Sequence, residues 1–209
     1  MIPLKAVIFD YGNVLSRPQT AGDMAAMARV AGLAAAEMHR RYWQFRAAYD
    51  RGDLDEASYW SAVSRAAGRD FSAGQLREII RLDNESWSRP DRVMVRWAAA
   101  VRATGMRAGV LSNMPATLCR HLTANVAWLG DFDQHTYSCD VRMVKPEAGI
   151  YEHALEGLGA AADEALFLDD REENVEGARR VGLHVLLFRS PAQARDELDG
   201  RYAIPRIEL

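Results

Sequence analysis

The chain reads as an α/β protein, a doubly wound parallel sheet with a bundle of helices inserted after its first strand. Three observations predict this. Five short runs rich in Val, Ile, Leu and Phe lack the polar–apolar alternation of a half-exposed strand, which is how strands buried on both faces read. Helical patterns separate the later runs, and that alternation predicts a parallel sheet covered by helices on both sides. The long interval 16–88, between the first run and the rest, is patterned as helix throughout.

The predicted strands are Lys5–Phe9, Arg107–Leu111, a weaker one at Thr136–Ser138, Ala165–Leu168 and His184–Phe188. Helices are predicted at Asp91–Ala103, Pro115–Asn125, Glu147–Leu158 and Glu172–Val181, with Gly105, Gly159 and Gly182 where their C-termini should end. Within the insert, apolar residues recur at helical spacing: Met24, Met27 and Ala28; Met38, Tyr42, Phe45 and Tyr49; Tyr59, Trp60 and Val63; Leu76, Ile79 and Ile80. Gly32, the Arg51-Gly52-Asp53 turn and Gly68 punctuate the pattern, and Asp55 and Ser72 are suited to cap the helices that follow them. About four helices are expected there. Ser88-Arg89-Pro90 reads as the return to the sheet, since proline is tolerated where a helix begins. The chain thus divides into a core of residues 1–15 and 89–209 and a helical cap of residues 16–88.

Composition narrows the function classes. The 209 residues suffice for one good core and a smaller insert. A net charge of −3, with acidic and basic residues interleaved, carries no nucleic-acid signature. The two cysteines, Cys119 and Cys139, form neither a disulfide framework nor a CxxC zinc motif and read as reduced thiols. The five histidines show no metal spacing. The N-terminus lacks a secretory h-region and no apolar run is long enough to span a bilayer, so a soluble, cytoplasmic protein with no membrane partner is expected, either monomer or homodimer.

Ligands of open parallel sheets bind beyond the carboxyl ends of the strands, so the residues after each strand matter most. The first strand ends Phe9-Asp10-Tyr11-Gly12-Asn13-Val14 and the second Leu111-Ser112-Asn113. Val144-Lys145-Pro146 precedes a helix, and the fourth strand ends Leu168-Asp169-Asp170. An acid, a hydroxyl, a lysine and an acidic pair therefore meet at one sheet edge. Gathered carboxylates repel one another unless a cation sits among them, and Mg²⁺ suits oxygen ligands. Ser112, nearby backbone N–H groups and Lys145 supply donors for phosphate oxygens. A carboxylate facing a phosphoryl group so held is able to attack it.

These four motifs, in this order, resemble those of the haloacid dehalogenase superfamily, and the 16–88 insert resembles its helical cap. The resemblance covers essentially the whole chain. It implies a Mg²⁺-dependent phosphatase with a Rossmann-like core, acting on a small-molecule phosphate ester. It further implies that Asp10 is the nucleophile, that Asp10, the Gly12 carbonyl, Asp169 and Asp170 hold Mg²⁺, and that Ser112, Asn113 and Lys145 clamp the phosphate. In the insert, Arg46 and Trp43 are the side chains expected to face the substrate.

One position departs from the family pattern. Phosphatases of this family usually carry a second aspartate two residues after the nucleophile, and here that residue is Gly12. The Asp-Xaa-Gly-Asn-Val form resembles a branch that includes sugar-phosphate phosphatases. Turnover is then expected to rely on a good leaving group, a water relay or a cap residue. Two alternatives stand beside the phosphatase reading: a 2-haloacid dehalogenase using the same aspartate, and a catalytically weak phosphate-ligand binder.

Overall fold

The computed structural model describes residues 1–209. Five parallel strands form one sheet in the order β3-β2-β1-β4-β5. They are β1 (Ala6–Phe9), β2 (Arg107–Ser112), β3 (Gln134–Tyr137), β4 (Ala165–Asp169) and β5 (His184–Leu187). The order reverses direction about β1, which pairs with β2 on one side and β4 on the other. The tips of β1, β2 and β4 thereby become neighbours, at the switch point where such sheets bind ligands.

The central strands β1, β2 and β4 are buried on both faces, as their composition predicts, whereas the edge strands β3 and β5 are only partly buried. Val7 and Phe9 join Leu166 and Leu168 in a cluster of 28 buried residues on one face. Ala6, Ile8 and Phe167 face the other way into a cluster of 12. The insert contains α1 (Ala21–Ala31), α2 (Ala35–Gln44), α3 (Arg46–Arg51), α4 (Glu56–Ala66) and α5 (Ala73–Trp87). After it come α6 (Arg92–Ala103), α7 (Ala116–Asn125), α8 (Ser138–Val141), α9 (Ala148–Leu158), α10 (Glu172–Val181) and α11 (Pro191–Leu198).

The insert has five helices where four were expected. Non-helical backbone at Phe45 (φ −118°, ψ 6°) breaks the Met38–Tyr49 pattern into α2 and α3. The five helices enclose their own cluster of 12 buried residues, including Tyr42, Tyr49, Tyr59 and Trp60. Asp55 and Ser72 accept from Ser58 N and Gln75 N as N-caps. The two connections to the sheet pair with each other: Ser16 bridges Pro90, and Arg17 N donates to Arg89 O. Pro90 thus lies in that bridge rather than in a helix, and Asp91 caps α6.

Gly177 of α10 has a steric reason. A Cβ there would meet Pro146 Cβ at 2.7 Å, the Tyr151 hydroxyl at 2.9 Å and Pro146 O at 3.0 Å. The missing side chain lets α10 pack against the segment that carries Lys145. Gly177→Ala is expected to lower stability by about 1–3 kcal/mol through overpacking. Gly130→Ala, where a Cβ meets nothing within 4 Å, should stay within about 0.5 kcal/mol of the parent. Urea unfolding of the two variants side by side measures both.

Candidate active site

The strand tips and the insert enclose a cavity of about 440 Å³. Asp10, Ser112, Asn113, Lys145 and Asp170 line it from the sheet, and Trp43, Arg46, Asp50 and Trp87 from the insert. Asp169 lies beneath them, fully buried.

Lys145 organises the floor. Its Nζ donates to Asp169 Oδ2 at 2.6 Å, Asp10 Oδ1 at 2.8 Å and Leu111 O at 3.0 Å, so its three protons are all engaged. Its side chain is 1% exposed. Burial disfavours its charge, but Asp10 and Asp169 outweigh that and hold the ammonium above its usual range. Asp10 Oδ1 also accepts from Tyr11 N at 2.7 Å. Both contacts fall on Oδ1, leaving Oδ2 as the oxygen able to react.

Asp169 is saturated. Oδ1 accepts from Arg171 N at 2.8 Å, Oδ2 takes Lys145, and Asn174 Nδ2 reaches both oxygens at 3.0 Å. Asn174 therefore braces the acidic cluster. Its Oδ1 stays buried without a partner. Asp170 stands differently: it is partly exposed, and its Oδ2 accepts from Asn13 Nδ2 at 2.8 Å. Asn13 adopts a left-handed backbone (φ 62°), which asparagine tolerates better than most residues.

Carboxylate oxygens of Asp10, Asp169 and Asp170 lie within 4.8 Å of one another. Three acids against one ammonium leave an excess of negative charge. Burial first, then the neighbouring acids, push Asp10 up to about 7 even though Lys145 pulls the other way. Burial also raises Asp170. An all-oxygen donor set with surplus negative charge fits a hard divalent cation such as Mg²⁺.

The insert contributes a second buried polar group. Arg46 is 6% exposed, pairs with Asp50 through Nε (3.0 Å) and Nη2 (2.9 Å), and donates to the Tyr42 hydroxyl. Tyr42 donates to Asp83 Oδ1 at 2.7 Å and accepts from Trp87 Nε1 at 3.1 Å. Trp43 flanks Arg46, 5.5 Å from guanidinium to ring, and is 42% exposed. Asp50 is pushed up to about 6 by burial, against the opposing pull of Arg46. The Ser138 hydroxyl donates to Asp50 O at 2.5 Å, tying α3 to the sheet edge.

All the sequence-predicted site residues are brought together here, with Asp169 just below the cavity wall. Two make different contacts from those expected of a phosphate clamp. Lys145 spends its protons on protein oxygens. The Asn113 side chain grips the Lys145 backbone, accepting from its N–H at 2.9 Å and donating to its carbonyl at 3.1 Å. Sequence reading missed Asn13, Asp50, Tyr42 and Asp83, and it did not bring out Trp87, which walls the cavity. The Gly-Asn step after Asp10 was a usable cue for Asn13. The i,i+4 spacing of Arg46 and Asp50 was a local cue to their ion pair, whereas nothing local marked Asp83, whose partner Tyr42 comes from another helix.

A proton and a divalent cation held by the acid trio would compete for Asp10. Apparent Mg²⁺ affinity should therefore rise as pH rises through about 7 and level off above it, with a slope approaching tenfold per pH unit on the acid side. Mg²⁺ titration calorimetry across that range measures this, and a flat profile would refute the proton assignment.

Comparison with known proteins agrees with the architecture. Phosphatase MT3486 of Mycobacterium tuberculosis (strain CDC 1551 / Oshkosh) is 28% identical over 200 residues, 92% of this chain and 91% of that one. Bifunctional epoxide hydrolase 2 of Rattus norvegicus is 33% identical over 115 residues, 52% of this chain but 20% of that longer protein. Among solved structures, a HAD family enzyme of Bacteroides thetaiotaomicron in complex with magnesium and inorganic phosphate superposes with a TM-score of 0.74 at 18% identity, covering 89% of this chain and 94% of that one. L-2-haloacid dehalogenase of Xanthobacter autotrophicus gives 0.67 at 21%, covering 94% and 83%. Residues 4–182 match the haloacid dehalogenase-like hydrolases, and the chain belongs to that family.

Proposed function

We propose that the protein is a Mg²⁺-dependent hydrolase of small phosphate monoesters, sugar phosphates among them, working through an aspartyl-phosphate on Asp10. The observation that carries this is the acid trio at the strand tips with Lys145 holding Asp10 in place. The phosphatase relative in Mycobacterium tuberculosis and the magnesium–phosphate complex of the Bacteroides enzyme support the same chemistry.

In this reading Asp10, Asp170 and the Gly12 carbonyl would hold the metal, with Asp169, whose oxygens are spent on Lys145 and Asn174, supporting the site indirectly. Mg²⁺ bound there would supply charge neutralisation for the phosphoryl oxygens. Asp10 Oδ2 attacks phosphorus, and Lys145 keeps Oδ1 fixed, so the attacking oxygen has one orientation. Ser112 and the backbone N–H groups beside Asn113 receive phosphoryl oxygens. Residues 16–88 serve as a cap, with Trp43 and Arg46 against the leaving group and the paired strands at Ser16 and Pro90 as its root.

Gly12 supplies no proton to the leaving oxygen. Asp50 is the carboxylate the cap presents to the cavity, and we assign the proton transfer to it. A group near pH 6 is well placed to give up a proton at neutral pH and take it back.

Two experiments test this. Across a phosphate-ester panel, activity should require Mg²⁺, vanish in excess chelator and be lost in Asp10→Asn. Full activity in that variant would overturn the reading, and activity toward 2-haloacids that persists in chelator would favour a dehalogenase. Asp50→Asn should slow alkyl phosphates by about 10²–10⁴-fold. Esters with good leaving groups, such as p-nitrophenyl phosphate, should slow less than about tenfold, because they need little protonation. Equal losses on both substrates would mean that Asp50 is structural.

A further inference from the structure

The chain's two cysteines lie 20 positions apart, yet the fold brings them together away from the cavity floor. Cys119 is on α7 and Cys139 on α8, and both are partly buried. Their sulfurs and a carboxylate oxygen of Asp140 all lie within 4.8 Å of one another. The Cys139 thiol contacts Asp140 Oδ1 at 3.6 Å.

We propose that Cys119, Cys139 and Asp140 form a second metal site, selective for a thiophilic divalent ion of the Zn²⁺ class. A tetrahedral ion with Zn–S near 2.3 Å and Zn–O near 2.1 Å sets its donors roughly 3.6–3.8 Å apart. The three donors need only close up by about an ångström, within reach of side-chain rotation. The fourth position falls to water, since the site is half open to solvent. The donor set separates this site from the acid trio: thiolates select soft ions, and all-oxygen ligands select Mg²⁺. A disulfide would use the cysteines and leave the carboxylate without a role.

The site's position gives it a consequence. Ser138, beside Cys139, receives Met114 N at 3.0 Å and donates to Asp50 O. A Cβ on Gly52 would come within 3.2 Å of the Cys139 carbonyl, so the turn after α3 rests on α8. An ion joining α7 to α8 would brace α8, the core element against which α3 packs.

The test uses the reduced, chelator-treated full chain. Titration with Co²⁺ should give thiolate-to-metal charge-transfer absorption saturating at one equivalent and displaced by Zn²⁺. Because the chain has no other cysteine, that signal can come from nowhere else. Cys119→Ser and Cys139→Ser should each lose it, Asp140→Asn should weaken binding by about tenfold or more, and Asp10→Asn should leave it intact. In the parent protein, which needs no variant to fold, saturating Zn²⁺ should protect both thiols from alkylation and raise Tm. Absence of the charge-transfer band, its survival in Cys139→Ser, or unprotected thiols at saturating Zn²⁺ would each overturn the proposal.

Discussion

The site rests on one buried ammonium. Lys145 meets Asp10, Asp169 and a backbone carbonyl at once. A charge so deep is tolerable only with its partners in place, and removing one member of such a cluster costs several kcal/mol because the others are left uncompensated. The surrounding structure serves this contact. Asn113 grips the lysine's backbone from β2, Asn174 holds Asp169 from α10, and Gly177 lets α10 come close enough for that grip. What Lys145 cannot do is balance all three acids, and the remaining negative charge is what suits the place to a cation.

The insert repeats the same physics with different parts. Arg46 is buried between Asp50 and Tyr42, and Tyr42 in turn binds Asp83 and Trp87. Polar groups held this completely give a helix bundle one arrangement rather than several. That matters because α3 carries Arg46 and Asp50 to the cavity while Ser138 holds the same helix from the sheet side. A bundle packed by apolar contacts alone would be freer to slide over the strand tips. The polar network determines which face of the insert looks at Asp10.

Much of this was legible from the chain. Strands buried on both faces, helix-terminal glycines and the N-caps Asp55 and Ser72 are local signals, and the structure follows them. Asp10, Ser112, Lys145, Asp169 and Asp170 were legible because parallel topology sends every strand end to the same edge. The rest depended on distance across the fold. Whether Lys145 touches a ligand or a neighbouring acid is decided by Leu111, Asp10 and Asp169 together, and no spacing encodes that. The break at Phe45 was hidden because the apolar pattern runs straight through it. Asp83 reads as a solvated helix residue until Tyr42 arrives from α2, Asp50 pairs with Arg46 one turn back on its own helix yet its place at the cavity depends on how α3 is seated, and Cys119 and Cys139 read as unrelated thiols until α7 and α8 are placed side by side.

Gly12 is the position where the fold permits more than the chain uses. Its backbone (φ −65°, ψ 129°) suits any residue, and a Cβ there would meet only the Trp87 ring at an ordinary 3.5 Å. Sterics therefore do not explain the glycine. Electrostatics offers a reason: a further carboxylate would join three that one ammonium already fails to neutralise. With the proton transfer assigned to Asp50, as proposed, the acid would stand apart from the metal ligands and on the insert. Under that arrangement the nucleophile and the acid belong to different parts of the molecule. The chemistry then becomes complete only when the insert is seated over the sheet. Water reaching Asp10 through an open cleft would find the nucleophile present and the acid absent, so coupling catalysis to closure follows from where the carboxylates are, with no additional device.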